Sequence, residues 1–200
     1  MNLGFFGGTF DPIHEGHLVL AREARKQFKL QKVLFIPAFI PPHKTSRRDL
    51  TPAPYRYRMV ELALRDEPCF EISDVELSRP DVSYTVDTLR ALKKKYPEGQ
   101  LFFIMGSDTL AEIPFWREPE EIRKRVLFLV AERKGALPPP PWASSEVRWI
   151  RMPEIPIASS EIRKQIREGK TLGPDVLPPA VEQYISRMKL YRKGRSCNLL

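Results

Sequence analysis

Residues 7–17 read GGTFDPIHEGH and follow directly on an apolar start, MNLGFF. The segment LGFFG predicts a buried strand, and Gly7 and Gly8 fall in the turn after it. Without a Cβ, such residues let backbone N–H groups approach an anion closely. Asp11-Pro12 makes a turn, and Gly16 opens a helix, which places His14 just before that helix and His17 in its first turn. Two imidazoles at a helix N-terminus point, with its partial positive charge, toward whatever anion the glycines hold. The two commonest phosphate fingerprints, GxGxxG and GxxxxGK[ST], are both missing from this turn.

Outward from this stretch, apolar runs alternate with amphipathic ones. KVLFIPA (32–38), QLFFIMG (100–106) and RVLFLVAER (125–133) predict strands, FEISDVEL (70–77) a strand or extended piece, and VRWIRM (147–152), which alternates, an edge strand. Between them, 16–28, 53–67 and 84–97 carry apolar residues at helical spacing: Leu18, Ala21 and Ala24, then Met59, Val60 and Ala63, then Val86, Leu89 and Leu92. Two more helices close the chain, SSEIRKQIREGK (159–170), stopped by Gly169, and PPAVEQYISRMKLYRK (178–193). Continuous apolar strands in strand–helix order predict an α/β fold, a Rossmann-like doubly wound parallel sheet with a small C-terminal helical extension. Residues 1–200 are read as a single domain, with about 155–200 as the helical C-terminal part.

The chain has 200 residues, a net charge of +8 and 20 prolines, which cluster in connections and stiffen them. Its basic balance suits polyanions such as nucleotides. Nucleic acid would need stacking aromatics or a recognition helix, neither of which is legible. Cys69 and Cys197 lack CxxC spacing, so neither a disulfide framework nor a zinc ribbon is written, and a reducing, cytoplasmic setting is expected. The first residues lack the basic start of a signal peptide, and no apolar run is long enough to span a bilayer. The oligomeric state and the role of the basic tail, from Arg187 to Arg195, stay open.

Several further residues are candidates for a site. In IASSEIRKQI (157–166), Ser159 is placed to cap a helix, and Ser160 and Arg163 add a hydroxyl and a guanidinium near the same helix start, a constellation for polyphosphate. Taken alone, the segment is better described as a capped surface helix with an ion-pairing Arg. His43 and Lys44 sit on a proline-stiffened loop after the second strand. Tyr84 and Thr85 begin a helix whose free N–H groups can take a carboxylate, or they merely cap it. Asp108 follows a buried strand, and Trp116 is either a ligand platform or a core aromatic. His14, His17 and His43 offer three nitrogens to zinc, but paired imidazoles beside a glycine turn suit phosphate better.

GGTFDPIHEGH resembles the GxFDPxHxGH signature of the HxGH nucleotidylyltransferases, and Ile157, Ser159, Ile162 and Arg163 match their ISSTxIR motif. Ala158 stands where that motif has its first Ser, and Ser160 where it has Thr. The stretches PPHK (41–44), SYTVDTL (83–89) and GSD…W (106–116) are similar to those of bacterial nicotinate-nucleotide adenylyltransferases, and the likeness runs through nearly the whole chain. The resemblance implies transfer of AMP from ATP to nicotinate mononucleotide in NAD biosynthesis, releasing pyrophosphate. Nicotinamide mononucleotide and phosphopantetheine are the rival acceptors.

It implies that His14, His17, Lys44 and Arg163 act on the triphosphate, with Gly7, Gly8, Thr9, Phe10, Ser159 and Ser160 completing the ATP site. Asp108 is expected to contact the adenosine ribose or a metal-bound water. Trp116 would stack on the nicotinate ring, Tyr84 and Thr85 would read its carboxylate, and His43 would lie near that nucleotide. Mg²⁺ is the expected cofactor, held by the triphosphate and water with no protein side chain as ligand.

Overall fold

The computed structural model describes residues 1–42, 50–132, 140–153 and 155–192. Six strands form one sheet: β1 (Asn2–Gly8), β2 (Lys32–Pro37), β3 (Phe70–Ile72), β4 (Gln100–Gly106), β5 (Val126–Ala131) and β6 (Val147–Ile150). All pairings are parallel and the order is β3-β2-β1-β4-β5-β6. The chain winds outward from β1 to β3 through α1 (Glu15–Gln27) and α2 (Ala53–Ala63). It returns to the middle through α3 (Thr85–Lys95), then continues through α4 (Ser107–Glu112), α5 (Pro119–Arg125) and the short α6 (Ala143–Glu146). This is the doubly wound parallel sheet that the alternating pattern predicts.

The strands are apolar throughout because each face of the sheet is covered. Phe6, Val33, Phe35, Ile104 and Leu129 pack with Leu18, Ala21, Met59 and Val60 on one side. Leu3, Phe5, Leu34, Ile36, Leu101 and Phe103 pack with Val86, Leu89 and Leu92 on the other. The last helices, α7 (Ser159–Arg167) and α8 (Pro179–Arg187), share the first of these cores through Ile162, Val181 and Ile185. Gly169, in the left-handed region at φ 77°, ends α7 as expected. At the edge, Val147 joins one core and Ile150 the other, yet Arg148 and Trp149 between them are exposed. The expected alternation of β6 is therefore masked, since helix cover thins at the edge of the sheet. Among the described residues no helix is long and apolar enough to cross a membrane.

Two features of the topology make room for a ligand. β1 and β4 pair only from Asn2–Gln100 to Phe5–Phe103. Beyond that point β1 stays with β2 as far as Gly8–Pro37, and β4 stays with β5 as far as Gly106–Ala131. The two halves of the sheet thus part over their last residues, and a crevice opens at the point where the winding reverses, the usual ligand position in such sheets.

Candidate active site

The crevice widens into a cavity of about 690 Å³, within the range of small-molecule sites. Gly7, Gly8, Thr9 and His17 form one wall, and Tyr84 and Thr85 with Asp108 and Trp116 another. At Gly7 an added Cβ would meet only the Phe103 ring, at 4.0 Å, so the backbone there borders open space. A Cβ on Gly8 would lie 3.0 Å from the Phe10 ring, a tight contact that the ring would have to yield to, so glycine lets the ring pack closely on the turn.

His14 is the N-cap of α1 and donates its backbone N–H to His17 Nδ1 at 3.2 Å. An acceptor at Nδ1 leaves the hydrogen of a neutral imidazole on Nε2, which makes that nitrogen a donor. The two rings lie 3.7 Å apart between centroids. His17 is on the cavity wall, while His14 is 4% exposed and packed behind it. Phe10 is also placed differently from expectation. Its ring is 2% exposed and packs edge-on against His17 and Phe6, so it shapes the turn from the core and does not line the cavity. Phe10 itself has a left-handed backbone, φ 48°, a strained state for a residue with a Cβ.

On the opposite wall, Phe5 stacks on Phe103 at 4.4 Å, and Trp116 lies 6.0 Å from Phe103, half-buried. The Arg117 guanidinium sits 4.9 Å over the Tyr84 ring and 3.7 Å from Asp87, tying the tryptophan segment to the start of α3. Tyr84 is the N-cap of α3, but its own amide donates to the Val82 carbonyl at 3.1 Å. The amides that the helix leaves without an intrahelical acceptor therefore begin at Thr85. The Ser83 amide bonds to Ile40 and the Ser83 hydroxyl accepts from the Phe39 amide at 2.9 Å, so the loop after β2 is pinned to this segment. Pro41 and Pro42 line the cavity, and His43 and Lys44 lie outside the described residues.

The second motif docks onto the first. The N-cap of α7 is Ala158, so Ser159 does not cap the helix; its hydroxyl donates to the Pro12 carbonyl at 3.0 Å. Arg163, one turn on, donates from Nη1 to the Asp11 carbonyl at 2.7 Å. Ser159 and Arg163 share one helical face, as their spacing predicts, and that face meets the Asp-Pro turn; Ser160 is exposed. None of the three lines the cavity.

Residues that sequence reading passed over hold the site together. Arg56 is 0% exposed and donates to three carbonyls: Thr51 at 2.7 Å, and Thr9 and Phe39 at 2.8 Å. Burial lowers its pKa, opposed by Asp11, Tyr191 and Glu76. Its position could have been found, because it precedes Met59 and Val60 by three and four residues and so shares their inward face. Glu76 lines the cavity and is 6% exposed; burial raises its carboxyl above the usual range, although Thr88 Oγ1 donates to it at 2.6 Å.

Residues 5–165 match the cytidylyltransferase-like family model. The chain belongs to this family of nucleotidyltransferases. Within it, a probable nicotinate-nucleotide adenylyltransferase of Thermomicrobium roseum is 44% identical over 197 residues, covering 95% of this chain and 91% of the relative. One of the same name from Thermus thermophilus is 42% identical over 192 residues, covering 96% and 100%. The nicotinic acid mononucleotide adenylyltransferase of Plasmodium falciparum, solved with APC and with NaAD, superposes with a TM-score of 0.79 at 22% identity. It covers 95% of this chain and 96–97% of its own, and it shares the fold. The chain is a member of the nicotinate-nucleotide adenylyltransferase group.

Proposed function

We propose that the chain transfers AMP from ATP to nicotinate mononucleotide, giving nicotinate adenine dinucleotide and pyrophosphate. The observation that carries this reading is the two-sided cavity: a glycine turn with His17 on one wall, an aromatic platform and a helix start on the other. The 5′-phosphate oxygen of the acceptor attacks the α-phosphorus of ATP, the bond to the bridging oxygen of the β-phosphate breaks, and pyrophosphate leaves with the electron pair. A phosphate monoester is already largely ionised near neutral pH, its second pKa being about 6, so no general base is required. Catalysis then consists of holding two polyanions in line and stabilising the charge that spreads during transfer.

His17, through Nε2–H, is assigned to the α-phosphate, and His14 to fixing its ring by contact and by the backbone N–H bond to Nδ1. The Gly7–Thr9 backbone receives the phosphate chain, while Lys44 and the remaining N–H donors of Arg163 are assigned to β and γ oxygens, with Ser160 beside them and Ser159 supporting the turn through Pro12. Mg²⁺ bound with ATP would supply neutralisation of the triphosphate charge. Asp108, on the cavity lining, is assigned to the adenosine ribose or to a metal-bound water. Trp116 stacks on the pyridine ring and the Thr85 end of α3 takes its carboxylate, beside Tyr84 and His43. A carboxylate there forms charge-assisted bonds that a carboxamide cannot, which favours the acid. We place the reaction in the cytoplasm, on cysteine usage.

The deciding experiment supplies Mg-ATP with nicotinate mononucleotide, nicotinamide mononucleotide or phosphopantetheine and measures pyrophosphate. Release with the first at ten-fold or greater kcat/KM over the others is expected. Equal or greater release with another acceptor overturns the assignment.

A further inference from the structure

We propose that Tyr191, in the basic segment that ends the described chain, is a positioning residue for the phosphate-binding turn. The inference rests on the reading that residues 7–17 receive ATP. The Tyr191 phenol donates to Asp11 Oδ1 at 2.7 Å, across 180 residues of sequence. Asp11 is 4% exposed, and its other carboxylate oxygen accepts the Thr51 amide at 3.4 Å. Its backbone carbonyl takes Arg163, its neighbour Pro12 takes Ser159, and Thr9 takes Arg56. The turn between β1 and α1 is thus held by α2, by α7 and by the segment after α8. Tyr191 donates to the side chain of the turn's buried acid at 2.7 Å, a shorter bond than the 3.4 Å one from the Thr51 amide.

This turn needs holding. Phe10 stands at φ 48°, so without restraint it would relax toward an extended or right-handed state. Thr9, on the cavity wall, is adjacent to it, and the His17 ring packs on Phe10 at 5.1 Å. A shift of the turn therefore moves the groups that meet the triphosphate and leaves Trp116 and α3 where they are. Tyr191 is itself left-handed, at φ 62°, and is fixed there by its ring, which packs against the core, and by Asp11. The hydroxyl also neighbours Met59 Sδ on α2, at 3.9 Å, and the Thr51 side chain.

The test compares the full chain with Tyr191→Phe, Asp11→Asn and the double variant. Mg-ATP and nicotinate mononucleotide are each titrated alone by calorimetry, and steady-state KM values are measured well below the thermal midpoint. The expected result is a three- to ten-fold weaker Kd and higher KM for ATP in Tyr191→Phe, with the nicotinate nucleotide Kd within two-fold of the parent. The double variant should be no worse than the weaker single one, because the two side chains act through one bond. A lower thermal midpoint with unchanged ATP constants makes Tyr191 purely structural and overturns the proposal. A parent protein that binds ATP but uses another acceptor defeats the functional reading and leaves this test intact; a parent that binds no ATP defeats both.

Discussion

Arg56→Met removes a buried cation while keeping a side chain of similar length, so little cavity is left. Three carbonyls, of Thr9, Phe39 and Thr51, lose their donor. Hydrogen bonds to charged groups contribute about 1.5–3 kcal/mol each, and a stranded buried acceptor costs a similar amount. Against this stands relief from burying a guanidinium, whose pKa burial lowers. A net loss of about 3 kcal/mol is expected, a large part of the stability of an ordinary domain. For a chain of this size that corresponds to a fall of roughly 6–12 °C in Tm. Urea and thermal unfolding followed by far-UV circular dichroism measure it, with Arg56→Lys as the charge-retaining control. The lysine variant should fall between the two, because its point charge cannot span three carbonyls. A Met variant within about 1 kcal/mol of the parent would refute the view that this arginine joins the nucleotide turn to the loop after β2.

Three further outcomes are expected. His17→Ala should lower kcat by about 10²–10³, the scale of a lost donor to a charged transition state, with an unchanged circular dichroism spectrum; a near-normal kcat removes His17 from the chemistry. Trp116→Ala should raise KM for nicotinate mononucleotide by about ten-fold or more, since stacking on an aromatic side chain is worth about 1–3 kcal/mol, and leave KM for ATP unaffected; the two KM values separate this from a general collapse of the cavity. Glu76 binds its proton more tightly folded than unfolded, because burial raises its pKa. Its contribution to stability is therefore complete below the ordinary glutamate pKa and is lost as pH rises through the raised value. Glu76→Gln cannot ionise, so the difference in urea midpoint should move in favour of Gln between pH 4 and pH 8. Parallel curves for the two proteins would show that the carboxylate is not penalised.

Phe10 and Ser159 both lie inside motifs legible from residue order alone, and both were expected to touch ligand. Phe10 turns into the core because Gly8, without a Cβ, leaves its ring room to pack close to the turn. Ser159 gives its hydroxyl to Pro12 because α7 is pressed against the Asp-Pro turn by Ile162 in the shared core. A motif states which residues recur together; which of them face the ligand and which support the others depends on how the surrounding surfaces pack.

The order of strands and helices, the glycine turn, the helix starts at His14 and Tyr84 and the inward faces of α1 and α3 are local matters. They follow from apolar period, backbone freedom and capping over a few residues, and so they stand in the chain for anyone to read. The parting of β1 from β4 after Phe5 and Phe103, the burial of Arg56 and the meeting of Tyr191 with Asp11 do not. These depend on where distant segments are carried by winding about a common sheet. Periodicity has no memory over 180 residues, whereas a closed hydrogen bond in the core does.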